Sequence, residues 1–303
     1  MYNFFKSLRL LAIFLFSLAT QDILAQESLR KDIVNLVDAV TGSVGVGVKH
    51  LESGDTLTVH GNDHFPMQSV YKFHLALAVL ADVDHGKLSL NQKVFIRKED
   101  LLPNTVSPIA DKYPNGNVEL TIEELIAYTV SNSDNNGCDI LFRLVGGPKK
   151  VEEYFRRLHV TDVAIVNTEE EMHKDWGAQY KNWSTPAAMV HVLDLFYQKK
   201  ILSPKSRNVL VKIMEQTSTG KKRIKGHLPP ETVVAHKTGM GGNDAGVISA
   251  INDVGIITLP SGEHVAIALF ISNSKESIEK LETLQAKISK LVFDHYSATK
   301  IMR

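Results

Sequence analysis

Three short clusters in this sequence bring together side chains able to carry out acyl transfer. The first is Ser69-Val70-Tyr71-Lys72. Pro66 lies just upstream, so a helix starting near Ser69 is expected, and residues three apart on a helix share a face. The Ser69 hydroxyl and the Lys72 amine would then be neighbours. A serine hydroxyl is a weak nucleophile at neutral pH and needs a base beside it. A desolvated lysine can supply one, because burial disfavours its charged form, and a helix N-terminus adds backbone N–H donors suited to an oxyanion. Alone, an N-cap serine and a solvated lysine explain the same four residues. The second cluster is Ser133-Asp134-Asn135. Ser133 could relay a proton, and Asn135 could grip a substrate amide with both ends of its side chain; helix capping is the plainer explanation of such a run. The third, Lys237-Thr238-Gly239, follows a β-rich stretch from Thr232 to His236. A lysine and a hydroxyl on a strand edge suit a carboxylate, and a glycine lets a ligand approach the backbone closely.

The elements that must position these clusters follow from periodicity and punctuation. Apolar residues at helical spacing predict helices over Glu27–Val40, Ser69–Asp84, Thr121–Ser131, Asn135–Val145, Lys149–Leu158, Pro186–Gln198, Pro204–Gln216 and about Lys275–Tyr296. Alternation predicts a hairpin from Ser43–Lys49 and Thr56–His60, and strands at Thr232–Lys237, Gly246–Asn252, Gly255–Leu259 and His264–Ser272, with turns at Asn252-Asp253 and Pro260-Ser261-Gly262. Val160–Trp183 is polar and without period, which predicts a long surface loop. The order of helix, strands, many helices, strands, helix predicts an α+β fold: an antiparallel sheet built from both chain ends, flanked by helices, with a helical domain inserted. The expected division is a leader over 1–25, an α/β domain of 26–64 plus 215–303, and a helical domain over 65–214 that includes the loop 160–183.

Taken together, in this order and with long gaps between them, the three clusters match the set of class A β-lactamases and penicillin-binding proteins. The sequence resembles a class A β-lactamase over essentially its whole mature length, and FPMQSVYK, SNSDNNGCDILF, LVGG and VVAHKTG are most similar to the PER- and VEB-type branch. The resemblance implies a serine hydrolase acting on cyclic amides, with Ser69 as nucleophile, Lys72 or Glu169 (through a water) as base, and Ser133 passing a proton to the leaving nitrogen. Lys237, Thr238 and Arg223 would hold the substrate carboxylate, and the N–H groups of Ser69 and Met240 the oxyanion. The branch's Glu-x-x-Met-His pattern aligns Glu169 with the deacylating glutamate, with Glu170 and Glu171 as alternates; His173 stands where most class A enzymes have an asparagine that holds the water. Asp134 is expected to bond backbone. Two departures stand out. Met240 occupies a place usually held by Ser or Thr, so it cannot donate to an oxyimino substituent, and Val106 stands where an aromatic wall is usual. The alternative is a D-Ala-D-Ala carboxypeptidase or penicillin-binding protein, which shares the first half-reaction; a non-catalytic cell-envelope module is the third option.

Composition narrows partners and compartment. Lys+Arg and Asp+Glu number 34 each, so no global charge recruits nucleic acid or anionic lipid. Lys6 and Arg9 followed by the apolar run Leu10–Leu18 predict a secretory leader cleaved near Ala25, hence a secreted, periplasmic protein with no stable membrane anchor after processing. The single cysteine, Cys138, excludes an intramolecular disulfide and is expected in the core. No cofactor and no metal are expected, the partner is a small-molecule β-lactam, and the expected form is a monomer.

Overall fold

The structure, a computed structural model, describes residues 25–198 and 200–298. The expected leader, up to residue 24, lies outside the described residues. A central antiparallel sheet draws its strands from both ends of the chain, in the order β2 (Thr56–Val59), β1 (Ser43–His50), β11 (His264–Ser274), β10 (Val247–Thr258) and β8 (Val234–Met240), with β9 (Asn243–Asp244) pairing β10 beyond the end of β8. The first strand joins the last in continuous register, from Ser43 opposite Ser272 to His50 opposite Val265.

Both faces of this sheet are buried, and the period-two alternation of strands divides its side chains between two cores. Val265, Ile267, Leu269 and Ile271 share one cluster with α1 (25–37) and α10 (Ile278–Ala298), while Ala266, Ala268 and Phe270 share the other with the inserted helices. In β1 the same division explains Val44-Gly45-Val46-Gly47-Val48. The valines fill the first core. A Cβ on Gly45 would lie 2.4 Å from the Phe65 ring, and one on Gly47 2.6 Å from the carbonyl oxygen of Pro186, so only glycine lets α8 (Pro186–Tyr197) seat this closely.

The inserted region packs around α2 (Tyr71–Asp84), in which every residue from Tyr71 to Ala81 is buried. A helix apolar all round belongs at the centre of a bundle. Around it lie α3 (Pro108–Lys112), α4 (Ile122–Ser131), α5 (Asn135–Val145), α6 (Pro148–Arg157), α7 (Glu169–Lys174) and α9 (Pro204–Glu215). Capping sets their ends. Thr121 and Glu124 form a capping box on α4, Asp134 caps α5, Gly146 ends α5 at φ +90°, and Pro186 and Pro204 open their helices.

Five features differ from the sequence expectation. Asn252-Asp253 is no turn: β10 runs through it, because both side chains bond partners across the molecule. The helix expected from Ser69 begins as a 3-10 turn, Gln68–Val70, before α2. Lys237-Thr238-Gly239 lies inside β8. The long loop contains β6 (Val163–Ala164), α7, a 3-10 segment Trp176–Lys181 and β7 (Trp183–Ser184), and β7 also pairs with β3 (Phe65–Pro66). A ribbon of β4 (Lys93–Ile96) and β5 (Val118–Thr121), unforeseen in the sequence, closes one side.

Candidate active site

Ser69 sits at the centre of the 3-10 turn that leads into α2. That turn is pinned from two directions. Met67 N donates to Asn182 O at 2.8 Å, and Asn252 Nδ2, from the middle of β10, donates to the carbonyls of Pro66 (2.8 Å) and Met67 (3.1 Å). Gln68, directly before the serine, is held at φ +48°, and Ser133 at φ +61°. Left-handed backbone at a non-glycine residue persists where surrounding structure over-determines it, and such residues cluster at functional sites.

Lys72 is wholly buried, and three oxygens surround its ammonium. Glu169 Oε1 lies 3.0 Å away, Ser133 O accepts at 2.8 Å, and Asn135 Oδ1 accepts a further hydrogen bond. A buried cation survives only with such partners. Asn135 Nδ2 donates to Thr105 Oγ1 at 2.6 Å, so both ends of the amide expected to grip substrate are engaged within the protein. Asp134 accepts from the N–H groups of Ile109 and Gly137 and from the Ser107 hydroxyl, which is the expected architectural role.

The three successive glutamates have three different fates. Glu171 closes a capping box with Thr168. Glu170 is exposed and pairs with Lys174 at 2.6 Å. Glu169 turns inward to Lys72 with 12% of its side chain exposed. What aims it is Asp139 on α5, whose two carboxylate oxygens accept the N–H groups of Glu169 (2.8 Å) and Glu170 (2.9 Å). Burial pushes the Asp139 carboxyl up to about 6, against the opposing pull of those two donors. Asn182 clamps the loop's other limb, accepting from Val166 N and Asn167 N and donating to Asn167 O. His173, one turn past Glu169, is exposed on the rim of the same cleft.

On the facing wall, Lys237 is also wholly buried and donates to Ser133 Oγ at 2.9 Å and to Thr238 O at 2.8 Å. Burial, and next the Lys72 charge, push its ammonium well below the ordinary lysine value. Thr238 Oγ1 shares a hydrogen bond with Thr219 Oγ1 at 2.5 Å. A Cβ on Gly239 would lie 2.4 Å from Met67 O, so β8 abuts the segment that leads into Ser69 only because that residue is glycine. Arg223, expected as a second cation for the carboxylate, has its guanidinium engaged within the protein. It is buried behind β8, donates to the carbonyls of Gly239 (3.0 Å) and Asn252 (2.9 Å), and pairs with Glu282 at 3.2 Å. Met240 is 46% exposed on the cleft, with its sulfur 3.7 Å from Arg223 Nη2. Val106 is exposed, and Cys138 is buried against the Tyr71 hydroxyl.

The cleft between these walls has a volume of about 340 Å³ and is bounded by Gln68, Thr105, Asn135, Glu169, His173, Trp176 and Met240, among others. The contacts above bring two buried amines and an inward carboxylate together near the Ser69 hydroxyl, a set able to form and then hydrolyse an ester on serine. Thr105, Asp139, Gln179 and Asn252 are positioning residues that sequence reasoning missed. For Asp139 a signal existed, since it lies four residues after Asn135 on the same helix face. His60 and His64, which share H-x-x-x-H spacing, part company: His60 Nδ1 pairs with Val44 O, and His64 stacks on Trp183. Among the described residues no group of three or more His, Cys, Asp or Glu could hold a metal ion, and no helix is long and apolar enough to cross a membrane.

Comparison with known proteins adds to this geometry. The model of the beta-lactamase enzyme family matches residues 28–296. The chain is 47% identical over 272 residues to beta-lactamase VEB-1 of Pseudomonas aeruginosa, covering 89% of this chain and 91% of that one. It is 40% identical over 265 residues to the extended-spectrum beta-lactamase PER-1 of the same organism, covering 88% and 86%. Among solved structures, a beta-lactamase from Chitinophaga pinensis superposes with a TM-score of 0.88 at 49% identity, covering 89% of this chain and 99% of that one. The TLA-3 extended-spectrum beta-lactamase does so with a TM-score of 0.88 at 50% identity, covering 90% and 99%.

Proposed function

The chain belongs to the beta-lactamase enzyme family, in a class A, PER- and VEB-like branch, and from that membership we propose how its cleft opens a β-lactam ring. The protein is a β-lactam hydrolase, and its activity gives resistance to these antibiotics. The reaction runs through an acyl-enzyme on Ser69. The Ser69 oxygen attacks the lactam carbonyl while its proton passes to Lys72, once Lys72 has given a proton to Glu169 and stands as the free amine, or through a water to Glu169. The N–H groups of Ser69 and Met240 hold the oxyanion. The C–N bond breaks, and Ser133 delivers a proton to the nitrogen. Glu169 then takes a proton from a water that attacks the ester, with His173 on the rim beside that water, and Ser69 leaves as the alcohol.

Lys237 and Thr238 receive the substrate carboxylate, with Asn135 beside the acyl amide. Arg223 acts from behind β8, fixing the strand and adding positive potential rather than a direct bond. The observation that carries this reading is the 3.0 Å pair between the buried Lys72 ammonium and Glu169, one helical turn from Ser69. It supports a base for acylation and a base for deacylation at one place.

Export to the periplasm with leader removal near Ala25, a monomeric state, and the division into 26–64 plus 215–303 and 65–214 belong to the same proposal. The apolar run Leu10–Leu18 behind Lys6 and Arg9 supports export. The test is hydrolysis of a chromogenic cephalosporin by the mature protein and by Ser69→Ala. Steady turnover by the first and none by the second is expected; turnover by the variant would remove Ser69 from the chemistry.

A further inference from the structure

Next to Lys237 lies a buried pair that the reaction above does not use. His236, the residue before Lys237, and Asp253, the residue after Asn252, are both wholly buried, and His236 Nδ1 lies 2.9 and 3.1 Å from the two Asp253 oxygens. A carboxylate only accepts, so Nδ1–H is the donor. Nε2 is buried and has no partner. A proton there would be a buried donor without an acceptor, so the ring serves as a neutral donor. Gly255 stands opposite His236, and a Cβ on it would fall 2.7 Å from His236 Cβ and 2.4 Å from Ala235 O, so only glycine leaves the imidazole this place. The pair also holds the segments on either side of Arg223. Asp253 Oδ2 accepts Ile224 N at 3.2 Å, and His236 O accepts Thr217 Oγ1 at 2.6 Å.

Three buried cations gather at this wall. Lys72 pairs with Glu169, and Arg223 with Glu282. Lys237 donates to a hydroxyl and a carbonyl, and among the described residues no carboxylate lies within ion-pair distance of it. Burial and then the Lys72 charge push its ammonium down; Glu169 and Asp253 pull the other way, and Arg223 opposes them. We propose that His236 and Asp253 are a positioning pair for the substrate carboxylate: His236 fixes the Asp253 carboxylate on the neighbouring strand, where it sustains the charge on Lys237 without taking the place the substrate needs. The inference rests on Lys237 receiving that carboxylate. An acid in contact with Lys237 would compete with the substrate, and one held a strand away does not.

The test follows the alkaline limb of kcat/KM for benzylpenicillin, with circular dichroism to show each protein folded across the range. The Lys237 charge is present at low pH and lost as pH rises, so removing the Asp253 charge moves the limb to lower pH. In Asp253→Asn the expected move is about one pH unit, the low end of what a nearby opposite charge contributes, with KM rising at alkaline pH more than kcat falls. His236→Leu leaves the buried carboxylate without its donor, which favours the protonated form, and should move the limb likewise. His236→Asn, which keeps a donor near the place of Nδ1, should restore it. In a Lys237→Arg background, where the cation stays charged, Asp253→Asn should move nothing. A limb unmoved in Asp253→Asn, moved as far in His236→Asn as in His236→Leu, or still moved in the Lys237→Arg background overturns the inference. A wild-type protein that does not open benzylpenicillin overturns the β-lactam hydrolase reading itself, and this inference with it.

Discussion

At Lys237 burial and the proposed binding of a carboxylate meet in one side chain. Its ammonium has no exposure and sits near a second buried lysine, so its charged form is disfavoured in the free enzyme. The reading above needs that charge to receive a carboxylate. A lowered pKa means the charge is present at low pH and is lost as pH rises through a value below the ordinary lysine range. The alkaline fall of kcat/KM should therefore come earlier than an ordinary lysine allows. Once bound, the substrate carboxylate favours the ammonium, so kcat should hold to higher pH than kcat/KM. Lys237→Arg, which stays charged, should move the alkaline limb of kcat/KM upward. Full pH profiles of both proteins decide this; superimposable limbs would place the titrating group elsewhere.

Among the elements, the short helix α7 depends on a partner from another helix. Asp139 on α5 accepts its first two N–H groups, and so directs Glu169 at Lys72. In Asp139→Asn only one side-chain oxygen remains to accept, so the loop's grip loosens. Deacylation should slow more than acylation, and acyl-enzyme should accumulate during turnover. Because burial raises the Asp139 pKa to about 6, its charge opposes folding above that pH and the fold is relieved of it by protonation below. Removing the charge offsets the lost bond, so the thermal midpoint at neutral pH should move little. For the same reason the wild type's deacylation should fall as pH drops through about 6, and that limb should vanish in the variant. Equal slowing of both half-reactions would make Asp139 a general structural residue.

The helices around α7 were legible because Pro186, Pro204, Gly146 and the Thr121–Glu124 box mark their ends locally. The loop was not, since side-chain bonds from Asp139 and Asn182 hold it rather than an apolar stripe. Three adjacent glutamates look alike in sequence; only the capping of α7 by Thr168 and the anchor from Asp139 decide which one turns inward. Asn252-Asp253 has turn-favouring residues, and the carbonyls and histidine that instead engage it lie far away in sequence.

At the scale of the whole molecule, the cleft exists because a sheet made from both chain ends meets the helical insertion at the Ser69 turn. Asn252 joins the two, reaching from β10 to the carbonyls of Pro66 and Met67 and accepting Ile271 N. Asn252→Leu leaves these buried groups unpaired, at about 1–3 kcal/mol each. A clear fall in the urea midpoint is expected, with activity per folded molecule falling too because the Ser69 turn loses its anchor. A variant equally stable and active would mean that the pairing of β3 with β7 suffices. The central claim, that one cleft both forms the ester on Ser69 and hydrolyses it through Glu169, is tested most directly by intact-mass spectrometry of Glu169→Ala mixed with benzylpenicillin. The account predicts a long-lived adduct, one penicillin per chain, that maps to the peptide carrying Ser69 and is not seen to persist in the wild type. No adduct at all, or an adduct that clears as fast as in the wild type, would contradict it.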